Sequence, residues 1–210
     1  MEAMLERLTT TEAAVAAGVS VPQINRIIDE KILPEDLYST SAPRTFRTDA
    51  ALLIAFYFET ANWLTPNARL EAIRDARKRC ATWDEWRDCT LGEQYLTIRF
   101  SDLWKEVDGR LRRLSEARAM VVEDPEILSG TPVIRGTRIP VHDVAAQVEA
   151  GVPMEEILEM YPLISRAQVE LASIYAKAVP QRGRPRRLSI PGASVVSVTK
   201  KRLRSSSMRA

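Results

Sequence analysis

The chain has 210 residues, of which 45% are apolar and 28% are charged, a composition typical of a globular protein with two small cores. No run approaches the roughly 20 apolar residues of a membrane span, and the N-terminus lacks a signal-peptide pattern, so we expect a cytoplasmic protein without a membrane partner. Cys80, Cys89 and the sole histidine, His142, form no cluster that resembles a zinc site, and we predict no metal and no cofactor. Two reduced thiols are favoured over a disulfide between the cysteines.

The charge is unevenly distributed along the chain. Residues 180–210 contain nine basic residues and no acidic one. The other 21 basic residues are opposed by all 28 acidic residues, which gives residues 1–179 a net charge of −7. The sequence therefore predicts an acidic folded part followed by a basic tail.

Two short helices are predicted near the N-terminus. Thr9 and Glu12 have the spacing of a capping box for the first helix, which Gly18 ends, and Ser20 with Gln23 opens the second. Small residues before the turn would let the helices approach closely, a pattern typical of a DNA-binding helix-turn-helix. A helical hairpin that merely packs is the alternative.

The outward face of the second helix carries side chains that can bond base edges or phosphates in a major groove. The alternating residues 44–47 that follow would suit a small β-wing with two arginines facing phosphates. This arrangement, over about the first fifth of the chain, resembles the winged helix-turn-helix of the MerR-like regulators. The DNA contacts predicted here are Ser20, Gln23, Asn25, Arg26, Arg44 and Arg47.

The middle of the chain is predicted to complete a first domain and to add a connector. The apolar residues 49–63 and a helix from Thr65 to about Trp86 would close the first core. A strand up to Phe100 and a helix capped by Ser101 would follow, and its apolar stripe would serve ordinary packing or a dimer seam. The predicted aromatic core is Phe56, Tyr57, Phe58, Trp63, Trp83 and Trp86, and the stripe is Trp104, Val107, Leu111 and Leu114.

The segment from residue 120 predicts a small β-hairpin that turns at Arg135 and Gly136 and leads into three helices. The last helix opens with a capping box of Ser165 and Gln168, so that the unit is a second helix-turn-helix by geometry. Arg166 and Gln168 would then compete with the first unit for DNA, and the sequence does not say which unit reads bases. The expected core of this unit is Val144, Val148, Ile157, Leu158, Tyr161, Leu163, Val169, Ala172 and Ile174.

Four motifs in this segment resemble the family called domain of unknown function 433. They are Asp-Pro-Glu-Ile-Leu at 124–128, Gly-Thr-Pro-Val-Ile-Arg-Gly-Thr-Arg-Ile-Pro-Val at 130–141, Glu-Glu-Ile-Leu at 155–158 and Tyr-Pro at 161–162. The match covers about residues 118–179. The resemblance implies an antitoxin similar to the VapB type, whose partner would be a PIN-like ribonuclease toxin.

The same motifs invite a catalytic interpretation of Arg135, Arg138, His142 and Asp143. The motif has one histidine next to one aspartate, but no nucleophile, no set of metal ligands and no phosphate-binding loop. The sequence therefore does not provide the geometry of a general acid–base site. We therefore predict no catalytic residue and no enzyme. Gly136 would form the turn, and Arg138 would pair with a carboxylate at a helix end.

The basic tail begins directly after the last helix, and its prolines prevent that helix from continuing. Its arginines could lie in a DNA minor groove, as in an AT-hook, or could wrap a toxin and pair with an acidic nuclease site. Residues 193–198 could add a strand to a partner's sheet, which favours the toxin over DNA or a merely solubilising role. The predicted toxin contacts are Arg182, Arg184, Arg186, Arg187, Lys200, Lys201, Arg202 and Arg204.

The predicted fold is mainly α, with two helix-turn-helix domains, small β-hairpin or wing elements and a disordered basic C-terminal tail. The predicted parts are a DNA-binding domain at 1–90, a connector at 91–118, a second domain at 119–179 and the tail at 180–210. The expected function is that of an antitoxin that binds a PIN-like toxin and autoregulates its operon by binding operator DNA as a homodimer or higher oligomer. The alternative is a stand-alone transcription regulator.

Overall fold

The computed structural model describes residues 7–93 and 96–181, so the predicted toxin contacts from Arg182 to Arg204 lie outside the described residues. The predicted mainly helical fold is confirmed: over this range the chain forms eight α-helices and three small antiparallel sheets. The helices are α1 Thr10–Ala17, α2 Val21–Asp29, α3 Thr48–Glu59, α4 Pro66–Arg79, α5 Ser101–Met120, α6 Val141–Glu149, α7 Met154–Met160 and α8 Arg166–Ala178. The strands are β1 Arg7–Thr9, β2 Tyr38–Ser39, β3 Thr45–Arg47, β4 Thr90–Glu93, β5 Leu96–Arg99, β6 Val121–Val122 and β7 Val133–Ile134.

Capping boxes begin three of the described helices, as the sequence predicts. In each capping box the Ser or Thr hydroxyl accepts the backbone N–H three residues on, and that residue's side chain accepts the N–H of the cap. Gly18 ends α1 in the left-handed conformation with φ 71°, which glycine adopts without a steric penalty. The capping pairs are Thr9 with Glu12, Ser20 with Gln23 and Ser165 with Gln168.

A three-stranded sheet in the order β1-β3-β2 lies beside α1 and α3. Its central residue, Phe46, pairs with Leu8 on one side and Tyr38 on the other, and Leu8 and Phe46 are fully buried. The segment of β2, β3 and the loop between them, residues 38–47, is called the wing below. The sequence predicted the wing but not β1, the third strand of this sheet.

The predicted helix through Trp86 is wrong at its end, because α4 stops at Arg79 and a 3-10 helix, Asp84–Asp88, follows. The Glu85 carboxylate accepts the backbone N–H groups of Ala81 and Thr82 at 2.6 and 3.1 Å. These local bonds give the backbone an alternative to the helix ladder. Ser101 is likewise not a cap, since the cap position is Phe100 and Ser101 is the first helical residue.

Trp63 corrects the predicted aromatic core, because its side chain is 86% exposed in the link between α3 and α4. The core is instead closed by Phe100, whose ring centroid lies 5.1 Å from that of Phe56 and 5.6 Å from that of Trp86. The hairpin of β4 and β5 brings Phe100 there, so residues on both sides of the predicted boundary near residue 90 share one core.

The long helix α5 packs against α1, α3 and α8 and contributes to both hydrophobic cores. Its four-residue apolar stripe from Trp104 to Leu114 is buried in the chain's own first core, so ordinary packing accounts for that face. Ala117 and Met120, one turn further on, belong to the second core with α6 and α8. The two parts of the chain therefore meet along α5.

The second core lies between the end of α5 and α6, α7 and α8, where Val144, Ile157, Val169 and Ala172 are buried. Gly136 forms the predicted turn with φ 77°. The predicted hairpin is only partly correct: β7 pairs with β6, while residues after the turn contribute one isolated bridge, at Pro140.

Leu163 was expected in this core but is 76% exposed. It lies in the turn between α7 and α8, directly after Pro162, and the neighbouring Ile164 is buried in its place. Among the described helices none has the length and apolar character needed to cross a bilayer.

Candidate nucleic-acid interface

The first two helices form a tight unit because their contacting residues are small. Ala13 and Ala16 of α1 are fully buried, and Ile24 and Ile27 anchor the inner face of α2. The N–H of Val19 donates to the carbonyl of Ala14 at 3.0 Å, which closes the turn between them. The packing fixes α2 on the protein surface with its other face toward solvent.

Ser20 and Gln23 lie at the exposed start of α2, but their polar atoms already have partners. The Gln23 side-chain oxygen accepts the Ser20 N–H at 2.8 Å and the Ser20 hydroxyl at 2.9 Å. The amide NH2 group of Gln23 remains as its donor toward an outside ligand. Both residues thus stabilise the start of α2, and Gln23 keeps its side-chain NH2 group as a donor to an outside ligand.

Arg26 and Asn25 lie in the middle of α2. Arg26 pairs with Glu30 one turn on at 2.8 Å, and both side chains are about half exposed, 54% and 49%. The hydrogen bond to Glu30 raises the pKa of Arg26. An exposed pair of this kind is weak, so a phosphate or base edge can replace Glu30 as the partner of this guanidinium. Asn25 is half-buried beside it.

The two wing arginines have different surroundings. Arg44 is exposed in the loop before β3. Arg47 makes two bonds to Asp49, at 3.1 and 3.0 Å, and that hydrogen bonding raises the pKa of Arg47. The Asp49 carboxylate is buried in the first turn of α3, so Arg47 ties the wing to the core.

Arg7 is a basic residue at this surface that the sequence did not single out. It lies opposite Arg47 in the register of β1 and β3 and donates to the Thr45 hydroxyl at 3.3 Å. An open cleft of about 350 Å³ runs from these arginines to residues 81–83. Only recognition of β1 as a strand of the wing sheet would have placed Arg7 here.

The competing helix, α8, begins in acidic surroundings. Arg166 donates to Glu155 at 2.7 Å, and the Gln168 side chain caps Ser165 as Gln23 caps Ser20. Glu155 and Glu156 are exposed beside it. Carboxylates next to a helix start repel phosphates. The electrostatic surroundings therefore favour α2 and the wing over α8 as the candidate surface for contacts to DNA.

Of the residues considered for catalysis, Arg135, Arg138 and Asp143 are exposed and His142 is half-buried. Arg135 donates to the backbone carbonyl of Ala119 at 3.0 Å, whereas Arg138 has no carboxylate partner within the described chain. The His142 ring is tilted against that of Tyr175, with ring centroids 5.8 Å apart, and burial lowers the pKa of His142. Burial therefore favours the neutral imidazole.

Tyr175 donates to Glu123 at 3.2 Å, and burial raises the pKa of Tyr175 to about 12. The phenol consequently stays protonated and keeps its structural hydrogen bond. Cys80 and Cys89 are buried free thiols. Burial raises the pKa of Cys80 to about 12, so this thiol is not ionised at neutral pH. Within residues 7–93 and 96–181, no three potential metal-binding side chains come together.

Comparisons with known proteins match both the second unit and the chain as a whole. The family described as "Protein of unknown function (DUF433)" matches residues 121–176, which confirms the predicted resemblance there. "Uncharacterized protein y4eO" of Sinorhizobium fredii is 45% identical over 204 residues, or 93% of this chain and 92% of that protein. The solved structure of Rv2018 from Mycobacterium tuberculosis is 18% identical, covering 80% of this chain and 97% of that one, with a TM-score of 0.30. Such a score does not indicate a shared overall arrangement.

Proposed function

The chain belongs to the family of the y4eO protein of Sinorhizobium fredii, and we propose that it is a non-catalytic antitoxin that binds operator DNA and a toxin. DNA binding is carried by α2 and the wing. The toxin partner, a PIN-like ribonuclease, is held by the basic tail.

The observation that carries the DNA proposal is the pairing of a tight two-helix unit with an adjacent three-stranded sheet. A helix lying in the major groove beside a wing on the backbone is how winged helix-turn-helix proteins dock on a duplex. Asn25 and Arg26 supply base-reading chemistry on α2, while Arg44 and Arg7 supply phosphate contacts on the sheet. Gln23 adds one amide donor.

The toxin proposal is supported by the match to DUF433 and by the charge of the tail. Nine basic residues without an acidic one suit a partner with a carboxylate-rich nuclease site, because guanidinium–carboxylate pairs that exclude water are strong. The net charge of −7 on residues 1–179 opposes non-specific binding to DNA. Operator recognition thus depends on local arginines and on a dimer.

We expect Asn25→Ala and Arg44→Ala each to weaken binding to the DNA upstream of the gene by about tenfold, since each removes a contact worth about 1–3 kcal/mol. The measurement is fluorescence anisotropy at a fixed salt concentration. Arg166→Ala, on α8, is the matched control and should bind as the unchanged chain does. If only Arg166→Ala lost affinity for the DNA, α8 would be the helix that contacts bases, which would contradict the proposal.

We expect the product of the adjacent gene to co-purify with the full-length chain after co-expression. A full-length variant with Arg182, Arg184, Arg186 and Arg187 changed to Ser should not retain it, because the tail loses the guanidinium groups that pair with the toxin. If neither chain retains the neighbour while both shift the upstream DNA, the stand-alone regulator is the correct function. Retention by both chains would contradict the assignment of toxin binding to the tail.

A further inference from the structure

A groove of about 560 Å³ lies where the turn between α1 and α2 meets α5 and α8. Its floor is apolar and includes Val15, Val19 and Ile174. Its rim is basic, formed by Arg110, Arg113 and Lys177. The groove therefore suits an apolar group flanked by carboxylates.

The rim arginines are held in place by the protein. Arg110 donates to the carbonyl of Ala17 at 3.3 Å and to the Glu106 carboxylate at 3.1 Å. Its guanidinium occupies the space that a side chain on Gly18 would need. Arg113 donates to Glu170 at 2.7 Å. Lys177 makes no ion pair with any residue of the described chain and is exposed, so its charge is available to a partner.

A second unpartnered surface, the α7 corner, has the complementary chemistry. We define it as Met160 and Leu163 together with Glu156 and Glu159. Met160 is 50% exposed and Leu163 is 76% exposed. Both glutamates are exposed, and α7 contains no basic residue. The corner presents apolar side chains between carboxylates, which is what the groove requires.

The chain's own tail is a poor occupant of the groove. Its nine basic residues would meet Arg110, Arg113 and Lys177, and like charges brought together at an interface cost free energy. The α7 corner of a second copy has the opposite charge and the same apolar content. Charge complementarity therefore selects a second copy over the tail.

The positions of the two surfaces fit a symmetric dimer. The corner directly precedes the start of α8, and Ile174 and Lys177 place the groove near the end of α8, roughly 12–16 Å further along the helix. When two copies align their α8 helices antiparallel about a two-fold axis, the corner of each meets the groove of the other. Such an isologous contact closes after two copies.

We propose that the chain forms a dimer in which the α7 corner of each copy inserts into the groove of the other. Leu163 and Met160 of one copy fill the apolar floor of the other copy's groove, and Glu156 and Glu159 face its basic rim. The groove borders the start of α2 at Ser20 and Val21, whereas Asn25, Arg26 and the wing are not part of its lining. The contact does not depend on DNA or a toxin.

Sedimentation velocity of the full-length chain across a concentration series tests the proposal. We expect a dimer whose dissociation constant rises about tenfold or more in Leu163→Glu, which puts a charge against the apolar floor. Trp63→Ser removes an even more exposed apolar side chain elsewhere and should leave the dissociation constant unchanged. A full-length chain that stays monomeric, or a dimer indifferent to Leu163→Glu, overturns the proposal.

Charge reversal tests the pairing of the two surfaces. Lys177→Glu should weaken the dimer, and so should the double variant Glu156→Lys with Glu159→Lys, because each places like charges face to face. An equimolar mixture of the two variants should dimerise again, since the reversed groove meets the reversed corner and the other contact is unchanged. Failure of the mixture to associate overturns the proposed contact, whatever the outcome of the DNA and toxin experiments.

Discussion

Phe100→Ala is expected to lower the free energy of unfolding by about 3–5 kcal/mol, the usual cost of deleting a fully buried aromatic ring. The Phe100 side chain is 0% exposed and lies against Phe56 of α3 and Trp86 of the 3-10 helix. The cavity cannot collapse easily, because the N–H of Phe100 is bonded to the carbonyl of Cys89 at 3.0 Å. Urea unfolding followed by circular dichroism measures the change.

Trp63→Ala is the matched control for this change. It deletes a larger ring that is 86% exposed, so we expect a change within about 0.5 kcal/mol. Equal losses in the two variants would mean that Trp63 is also part of the core. A negligible loss in Phe100→Ala would mean that residues before and after position 90 do not share a core.

Arg118→Met is expected to lower the free energy of unfolding by about 2–3 kcal/mol. Arg118 on α5 pairs with Glu12 on α1, whose side chain is only 1% exposed. Without the arginine, the buried carboxylate keeps the Thr9 N–H at 2.8 Å as a donor and loses its opposite charge. Breaking a buried pair costs about 3–5 kcal/mol, and the cost is reduced here because Arg118 is 35% exposed.

Two further variants separate the buried charge from other effects of this change. Adding Glu12→Gln to Arg118→Met should recover part of the lost stability, because the neutral amide carries no unpaired charge. Arg26→Met breaks the pair with Glu30, in which both side chains are about half exposed, and should leave the free energy of unfolding almost unchanged. Equal effects of Arg118→Met and Arg26→Met would show that Glu12 is reached by water.

Contacts between α1, α5 and α8 make the two sequence-defined units structurally dependent on each other. Thr11 of α1 donates to the carbonyl of Ala178 at 2.5 Å, next to the pair of Glu12 and Arg118. A toxin held near the end of α8 would therefore act on the same elements that support α2. In the proposed function, this arrangement allows toxin binding and DNA binding to influence each other.

Local chemistry in the sequence was sufficient for the helix starts and for the turn glycines. The three capping boxes span only four residues each, and Gly18 and Gly136 adopt positive φ angles for reasons contained in the adjacent backbone. The same local reasoning identified Gln23, Asn25, Arg26 and Arg44 as polar groups near the turn and wing. It also identified the DUF433 motifs, because a motif is a continuous run of residues.

The tertiary structure decided which residues are buried and which charged side chains are paired with another group. The sequence around Trp63 and Leu163 does not indicate that their side chains are exposed, because burial depends on packing against elements distant in the chain. Strand β1 exists because Leu8 meets Phe46, 38 positions later, and Glu12 finds Arg118 more than 100 residues away. Pairings over such distances depend on how complete elements pack, whereas a cap or a turn depends only on its immediate neighbours.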